Sequence, residues 1–472
     1  MVFSDRTFLF LFLPVALGVL FLARKARVYL LSIIILSILF YYYSSGILVT
    51  LLIGVSLFAW VAGILVSRYR SKILFFCSVA ILFLPLAWFK YAFFAGKIIG
   101  LDEDSASYDL LSTILLPVGI SFYTFQAVSY VIDIWRGTLP ADRNIFRFTA
   151  YLTFFPQLIA GPIVRYADVA TKFANPDTSS DRFVKGIVRF THGLVKKVLI
   201  ADTIAPIATA CFALNGAELT FATALIGIVA YTLQIYFDFS GYSDMAIGLG
   251  LMAGIRFPEN FNAPYQARSV TEFWRRWHIS LSSWFRDYLY IPLGGNRLGP
   301  ARTYFNLFIV FFATGLWHGA AWVFIWWGLY HGLFLIGERI IWGKAAGQQS
   351  RPVLRWLYLL PVVSIGWLLF RASSMDQVYQ FLSALLNPFQ ASAFTLHPNL
   401  IGALAPGAML IFLVGLLSFV TKPSQPLGVM LERQVDQPNR RLLPYAYTAV
   451  SLAAVSVVIL SANYSPFLYF RF

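Results

Sequence analysis

Charge is scarce in this chain. Asp, Glu, Lys and Arg make up 12% of its 472 residues, whereas hydrophobic residues make up 59%. A soluble domain carries about 25% charged residues, so a soluble globular class is excluded and a polytopic membrane class is indicated. Cysteine is scarcer still. Cys77 and Cys211 are the only two, both within apolar stretches; this excludes a disulfide framework and leaves no metal site in the sequence. Acidic residues number 21 against 36 basic ones, a net charge of +15. That excess comes with neither a basic arm nor a nucleic-acid module, so no nucleic-acid partner is expected. No fixed-period repeat and no long flexible linker is present either.

What the chain has in plenty is apolar runs of near-spanning length: 8–23, 28–43, 48–66, 73–95, 110–132, 222–237, 305–317, 322–336, 354–370, 400–420 and 446–461. A span needs about 20 residues, and these runs predict an all-α bundle with roughly 10 to 12 crossings. Two further stretches, 146–163 and 195–213, are interrupted by Pro or charge and read as short, broken or re-entrant helices. Arg24, Lys25 and Arg27 fall between the first two runs, and Arg68, Arg70 and Lys72 between the third and fourth. Asp102, Glu103 and Asp104 follow the fourth; Arg136, Arg143 and Arg147 follow the fifth. This alternation places the N-terminus on the periplasmic side and the basic loops in the cytoplasm. Anionic lipid headgroups then account for most of the positive charge. MVFSDRTFLFLFLP lacks a basic n-region and a cleavage site, so the first helix is expected to be retained.

The densest chemistry lies in GLWHGAAWVFIWWGLYHG, residues 315–332. His318 and His331 stand in a run that is otherwise almost wholly apolar and aromatic, and an ionisable group there is a functional candidate by default. Histidine is also the side chain best suited to taking and returning a proton near neutral pH. The apolar stretch 305–336 is too long for one span, so two segments should meet near His318. His331 lies deeper in a spanning run and reads as a hydrogen-bonded packing residue. FWRRWHISLSSWFRDY, residues 273–288, is expected to form one amphipathic helix. Its aromatic stripe would hold Phe273, Trp277, Leu281, Trp284 and Tyr288, and its polar stripe Arg275, His278, Ser282 and Arg286. Such a helix suits the interface or a cavity rim; His278 fits an anchor less well than the arginines do.

In YFDFSGYSDMAIGLGLMAGI, residues 236–255, Asp238 and Asp244 read either as intramembrane carboxylates or, preferably, as an ion-pair partner of an arginine and a cap after a helix break. Gly248, Gly250 and Gly254 offer a small-residue face for close packing. The Gly-Gly-Asn turn with Arg297 and Arg302 has no P-loop pattern and carries only a weak phosphate signal. His192 shares a basic helix face with Lys185, Arg189 and Lys196 that reads as interfacial, and His397 falls in a loop.

Three blocks, WHG at 317–319, RRWHISLSSWFRDYLYIPLGGNR at 275–297 and YFDFSGYSDMAIGLG at 236–250, closely resemble the membrane-bound O-acyltransferase family. More narrowly, they resemble its bacterial branch of alginate O-acetylases, with relatives acting on cellulose, peptidoglycan and teichoic acid. The likeness extends through 115–137 and 155–165 to about residue 340. It implies a ring of helices around a central funnel, with 1–345 as the acyltransferase core and 346–472 adding helices to the same bundle. It implies His318 as the catalytic residue and His278 as the second site residue; Trp317, Ser282 and His331 are expected to line the cavity. Arg275, Arg286, Arg297 and Arg302 would bind the donor, acetyl-CoA, and no cofactor would be tightly held. It further implies an inner-membrane location, a periplasmic or membrane-anchored acetyltransferase partner, and association with polysaccharide synthesis machinery. A transporter would show two related halves. No second copy of the 236–320 blocks exists, so the enzyme reading is preferred.

Overall fold

The computed structural model describes residues 2–343, 355–420 and 425–461. Within them every regular element is helical and none is a strand. That is what lipid demands, since a helix satisfies its backbone groups internally where no water can. Among the described residues, four helical stretches are long and apolar enough to cross a bilayer: Tyr29–Tyr69, Lys72–Ile98, Phe221–Met252 and Pro438–Ser461. Phe8–Arg24, Leu357–Arg371 and Pro406–Phe419 are shorter apolar helices. Charged loops end in ordinary caps: Ser71 accepts from the Leu74 amide and Asn144 from the Arg147 amide, each meeting an otherwise unpaired donor of the first turn.

The chain divides into two compact units. The first comprises 1–190, 243–259 and 434–444; the second comprises 191–242, 260–433 and 445–472. The boundary near 345 expected from the sequence lies outside the described residues.

The first unit has an aromatic centre in which Phe8, Phe12, Phe40 and Phe155 meet at ring separations of 5.4–6.3 Å. Helix Val49–Tyr69 lies against helix Ile120–Arg136 at Gly63, where an added Cβ would come within 2.5 Å of the Tyr130 ring. Arg189, expected on an interfacial face, is instead buried and ion-paired to Asp244 and to Glu259. At Arg189 the basic face therefore meets carboxylates.

The second unit holds a parallel case. Lys197 reaches Asp202 at 2.6 Å and Asp238 at 2.8 Å. It sits in Val195–Ala201, a stretch of wider π-type turn, a local irregularity that commonly marks a functional or packing constraint. Helix Phe221–Met252 is unbroken through the Ser-Gly-Tyr-Ser-Asp run. The expected break and cap are therefore absent, and both aspartates serve as ion-pair partners, Asp238 to a lysine rather than an arginine.

Candidate active site

Helices Pro300–His318 and Trp322–Trp342 form an antiparallel hairpin in the second unit, turned by Gly319–Ala321. The two segments expected from the 305–336 run thus meet at His318 itself. Glycine sets their spacing. A Cβ on Gly315 would fall 2.4 Å from the Phe324 carbonyl, one on Gly328 would fall 2.3 Å from the Phe311 carbonyl, and one on Gly319 would meet the Phe324 ring at 2.2 Å. These glycines allow close helix packing. His318, on the last turn, is buried against the rings of Trp317, Trp327 and Phe370 at centroid distances of 4.9, 4.8 and 5.1 Å.

His278 reaches the same indole by another route. The expected single helix over 273–288 is broken into Val270–Arg276 and Ile279–Phe285, with His278 between them at φ 44°. The reason is Asn260. Its backbone carbonyl accepts from Ile279 N at 2.9 Å, and its Oδ1 accepts from Ser280 N at 3.2 Å and Ser280 Oγ at 2.8 Å. Asn260 therefore caps the second helix from outside, and the left-handed residue turns the chain to meet it. The same Oδ1 lies 3.1 Å from His278 Nδ1. A backbone N–H can only donate, so the atom facing Ser280 N is the amide oxygen, and His278 Nδ1 must carry the proton. The ring is thus fixed with its basic lone pair on Nε2. Phe239 and Trp317 flank it edge to face at 4.7 and 6.1 Å.

The break separates residues that the stripe had put together. Arg275, Ser282 and Arg286 line a cavity of about 300 Å³, with Trp274, Phe311, Thr314 and Arg339 among its other walls. His278 does not line it. No carboxylate is among the lining residues. Arg286 is paired with Asp287 at 2.6 Å, whereas the side chains of Arg275 and Arg339 make no ion pair or hydrogen bond to a described residue. Guanidinium groups around an apolar pocket suit a ligand with phosphates at one end and an apolar arm at the other. Thr314 lies one turn before His318 on the same helix.

Arg297 and Arg302 are not among the lining residues. They reach back to the Ile291 and Leu293 carbonyls, both at 3.4 Å, while buried Asn306 donates to Gly295 O at 2.9 Å. These contacts close the Gly-Gly-Asn turn. Trp317 is buried between the two site histidines. His331 is fully buried among Trp274, Trp327 and Tyr330, and neither ring nitrogen has a hydrogen-bond partner among the described residues. It is a packing residue without the expected hydrogen bond.

Sequence reading missed Asn260, Glu338 and Arg339. The last two had a visible signal, a charged pair interrupting the apolar helix end IGERII. Asn260 had none, because its partner lies 18 residues on.

The family model for membrane-bound O-acyltransferases matches residues 138–370, a span that includes both histidines and the cavity. A probable alginate O-acetylase of Pseudomonas aeruginosa is 41% identical, with 100% of each chain covered. One from Azotobacter vinelandii is 40% identical, again over 100% of each chain. A peptidoglycan O-acetyltransferase of Helicobacter pylori is 34% identical over 82% of this chain and 80% of its own.

Proposed function

The chain belongs to the membrane-bound O-acyltransferase family, and from that premise we propose that it passes an acetyl group from cytoplasmic acetyl-CoA across the bacterial inner membrane for O-acetylation of an exopolysaccharide, alginate or cellulose. The observation that carries this reading is the pair of buried histidines on one indole, with a guanidinium-lined cavity one helical turn from His318. Arg275, Arg286 and Arg339 hold the donor phosphates, and the apolar wall receives the arm that ends in the thioester.

His318 removes the proton from the acceptor hydroxyl. The hydroxyl oxygen attacks the thioester carbonyl, the C–S bond breaks, and the leaving thiolate takes a proton back from His318. His278, neutral and with Nε2 as its acceptor nitrogen, accepts from another donor group of the acceptor and so orients the hydroxyl that His318 deprotonates. No Ser or Cys nucleophile is needed, so transfer is direct. The N-terminus is periplasmic, which puts the donor cavity on the inner face. A polymer finished outside cannot reach that cavity, so a periplasmic or membrane-anchored transferase, working with the polysaccharide synthesis machinery, collects the acetyl group.

The test is reconstitution in liposomes with labelled acetyl-CoA on the cytoplasmic face and the polymer, with and without the partner, on the other. His318→Ala should abolish transfer at normal protein level. Normal transfer by a folded His318→Ala protein would sink the assignment, and robust polymer acetylation without a partner would overturn the relay.

A further inference from the structure

Helix Val270–Arg276 spans seven residues, far fewer than an isolated helix needs to persist. Yet it carries Trp274 and Arg275 into the cavity wall and delivers the chain to His278. Its first turn shows how it is held. Ser269 Oγ accepts from Glu272 N at 3.0 Å, and Glu272 Oε2 accepts from Arg268 N at 2.9 Å, a reciprocal cap. The two remaining leading amides are met from another helix. Glu338 Oε1 accepts from Val270 N at 2.5 Å and from the Tyr358 hydroxyl at 3.1 Å, while its Oε2 accepts from Thr271 N at 2.8 Å. Glu338 is 2% exposed and stands near the end of the apolar helix Trp322–Trp342.

A buried carboxylate in such a helix is expensive, and here three donors converge on it. A second contact joins the same two helices two turns away, where Trp274 packs on Trp327 and His331 at 5.6 and 5.0 Å. The residue after Glu338 is Arg339, which lines the same cavity as Arg275. A phosphate-bearing donor held by Arg275 and Arg339 would bridge the two helices that Glu338 already joins.

We propose that Glu338 is a positioning residue, resting on the acyl-transfer reading above, that clamps helix Val270–Arg276 to helix Trp322–Trp342 and so couples donor binding to the placement of His278. Loss of the clamp loosens both arginine spacing and the approach to His278, so KM for the donor rises and kcat falls together. Misplacement of a catalytic group by a fraction of its productive geometry is costly.

The experiment uses the full chain in proteoliposomes with acetyl-CoA as donor. Glu338→Gln keeps the side chain's shape but points an NH₂ at a backbone N–H. It should lower kcat about tenfold and raise donor KM several-fold, and Glu338→Ala should do more. Tyr358→Phe, which leaves both amides capped, should stay near wild type. A second readout needs no turnover: Val270→Cys, in a Cys77→Ser background, should resist maleimide when Glu338 is present and label at least fivefold faster in Glu338→Ala. Wild-type kcat and KM in folded Glu338→Gln and Glu338→Ala, with Val270→Cys still protected, would overturn the clamp. So would a loss of folded protein alone, with kcat and KM per folded molecule unchanged. If wild-type protein shows no turnover with acetyl-CoA, the transfer reading fails and the labelling arm still decides the clamp.

Discussion

Asn260→Ala removes one buried atom that three donors share: His278 Nδ1, Ser280 N and Ser280 Oγ. The loss of a helix cap costs about 1 kcal/mol. Leaving the Ser280 amide buried and unmet adds about 1–3 kcal/mol. The local destabilisation should therefore be about 2–4 kcal/mol, seen as an earlier melting transition in detergent and as faster amide exchange over 279–285. Activity should fall further than stability. Without the amide oxygen, His278 can exchange tautomers and swing from its place, a loss of roughly a hundredfold in kcat. Asn260→Asp is the sharper instrument. It keeps the acceptor, so the cap and ring position survive, but its carboxylate favours the imidazolium and raises the pH at which His278 becomes neutral. If the Nε2 lone pair must be open to accept a hydrogen bond, Asn260→Asp is impaired at neutral pH and regains activity as pH rises. The assay is acetyl transfer in proteoliposomes from pH 6 to 9, with wild type in parallel. Wild-type kcat in Asn260→Ala, or an unshifted acid limb in Asn260→Asp, would refute the assignment of tautomer and role.

Other expectations follow from the same geometry. Burial raises the Asp142 carboxyl, but hydrogen bonds from Arg147, Tyr166 and the Asn144 amide outweigh it and hold the group below the usual carboxylate range. A depressed value stabilises the native state above the unfolded pKa of about 4 and is lost as pH falls through the folded one, so melting temperature should drop below about pH 4 and Asp142→Asn should flatten that dependence. Gly315→Ala drives a Cβ against the Phe324 carbonyl; it should cost about 1–3 kcal/mol and lower kcat by moving His318, measured as melting and turnover on one preparation. Asp244→Ala strips a carboxylate from buried Arg189 and should destabilise by about 3–5 kcal/mol, with recovery when Arg189→Met is added.

How much of this was legible depended on sequence separation. The apolar runs announced the helices because hydropathy is a local property, and the break at His318 followed from run length alone. The family resemblance rested on contiguous blocks. The helix over 273–288 was misread because its period is right on both sides of His278 and only the phase changes there. That change is imposed by Asn260, whose partners are invisible to any local window. Asp238 was recognised as an ion-pair candidate, but Asp244 was read as a cap from Ser-Gly spacing that a well-packed helix tolerates, and its pairing with Arg189 was not foreseen. The arginines expected to bind a donor divided in the same way. Arg275 and Arg286 reach the cavity, Arg297 and Arg302 close their own turn, and Arg339 comes from a separate helix, Trp322–Trp342.

The buried ion pairs also set a timetable for biogenesis. Arg189 is synthesised 55 residues before Asp244 and 70 before Glu259. At roughly 5–20 residues per second, its partners emerge several seconds later. Until then the guanidinium is too costly to commit to an apolar interior, so that part of the chain must wait in water or among headgroups while the ribosome continues. Lys197 is under no such delay, because Asp202 follows it by five residues. The lysine can enter already neutralised, and Asp238, arriving later, finds its cation in place. Two neighbouring stretches of one nascent chain would thus settle on different clocks, one when its local partner is made and the other only after a distant helix has left the ribosome.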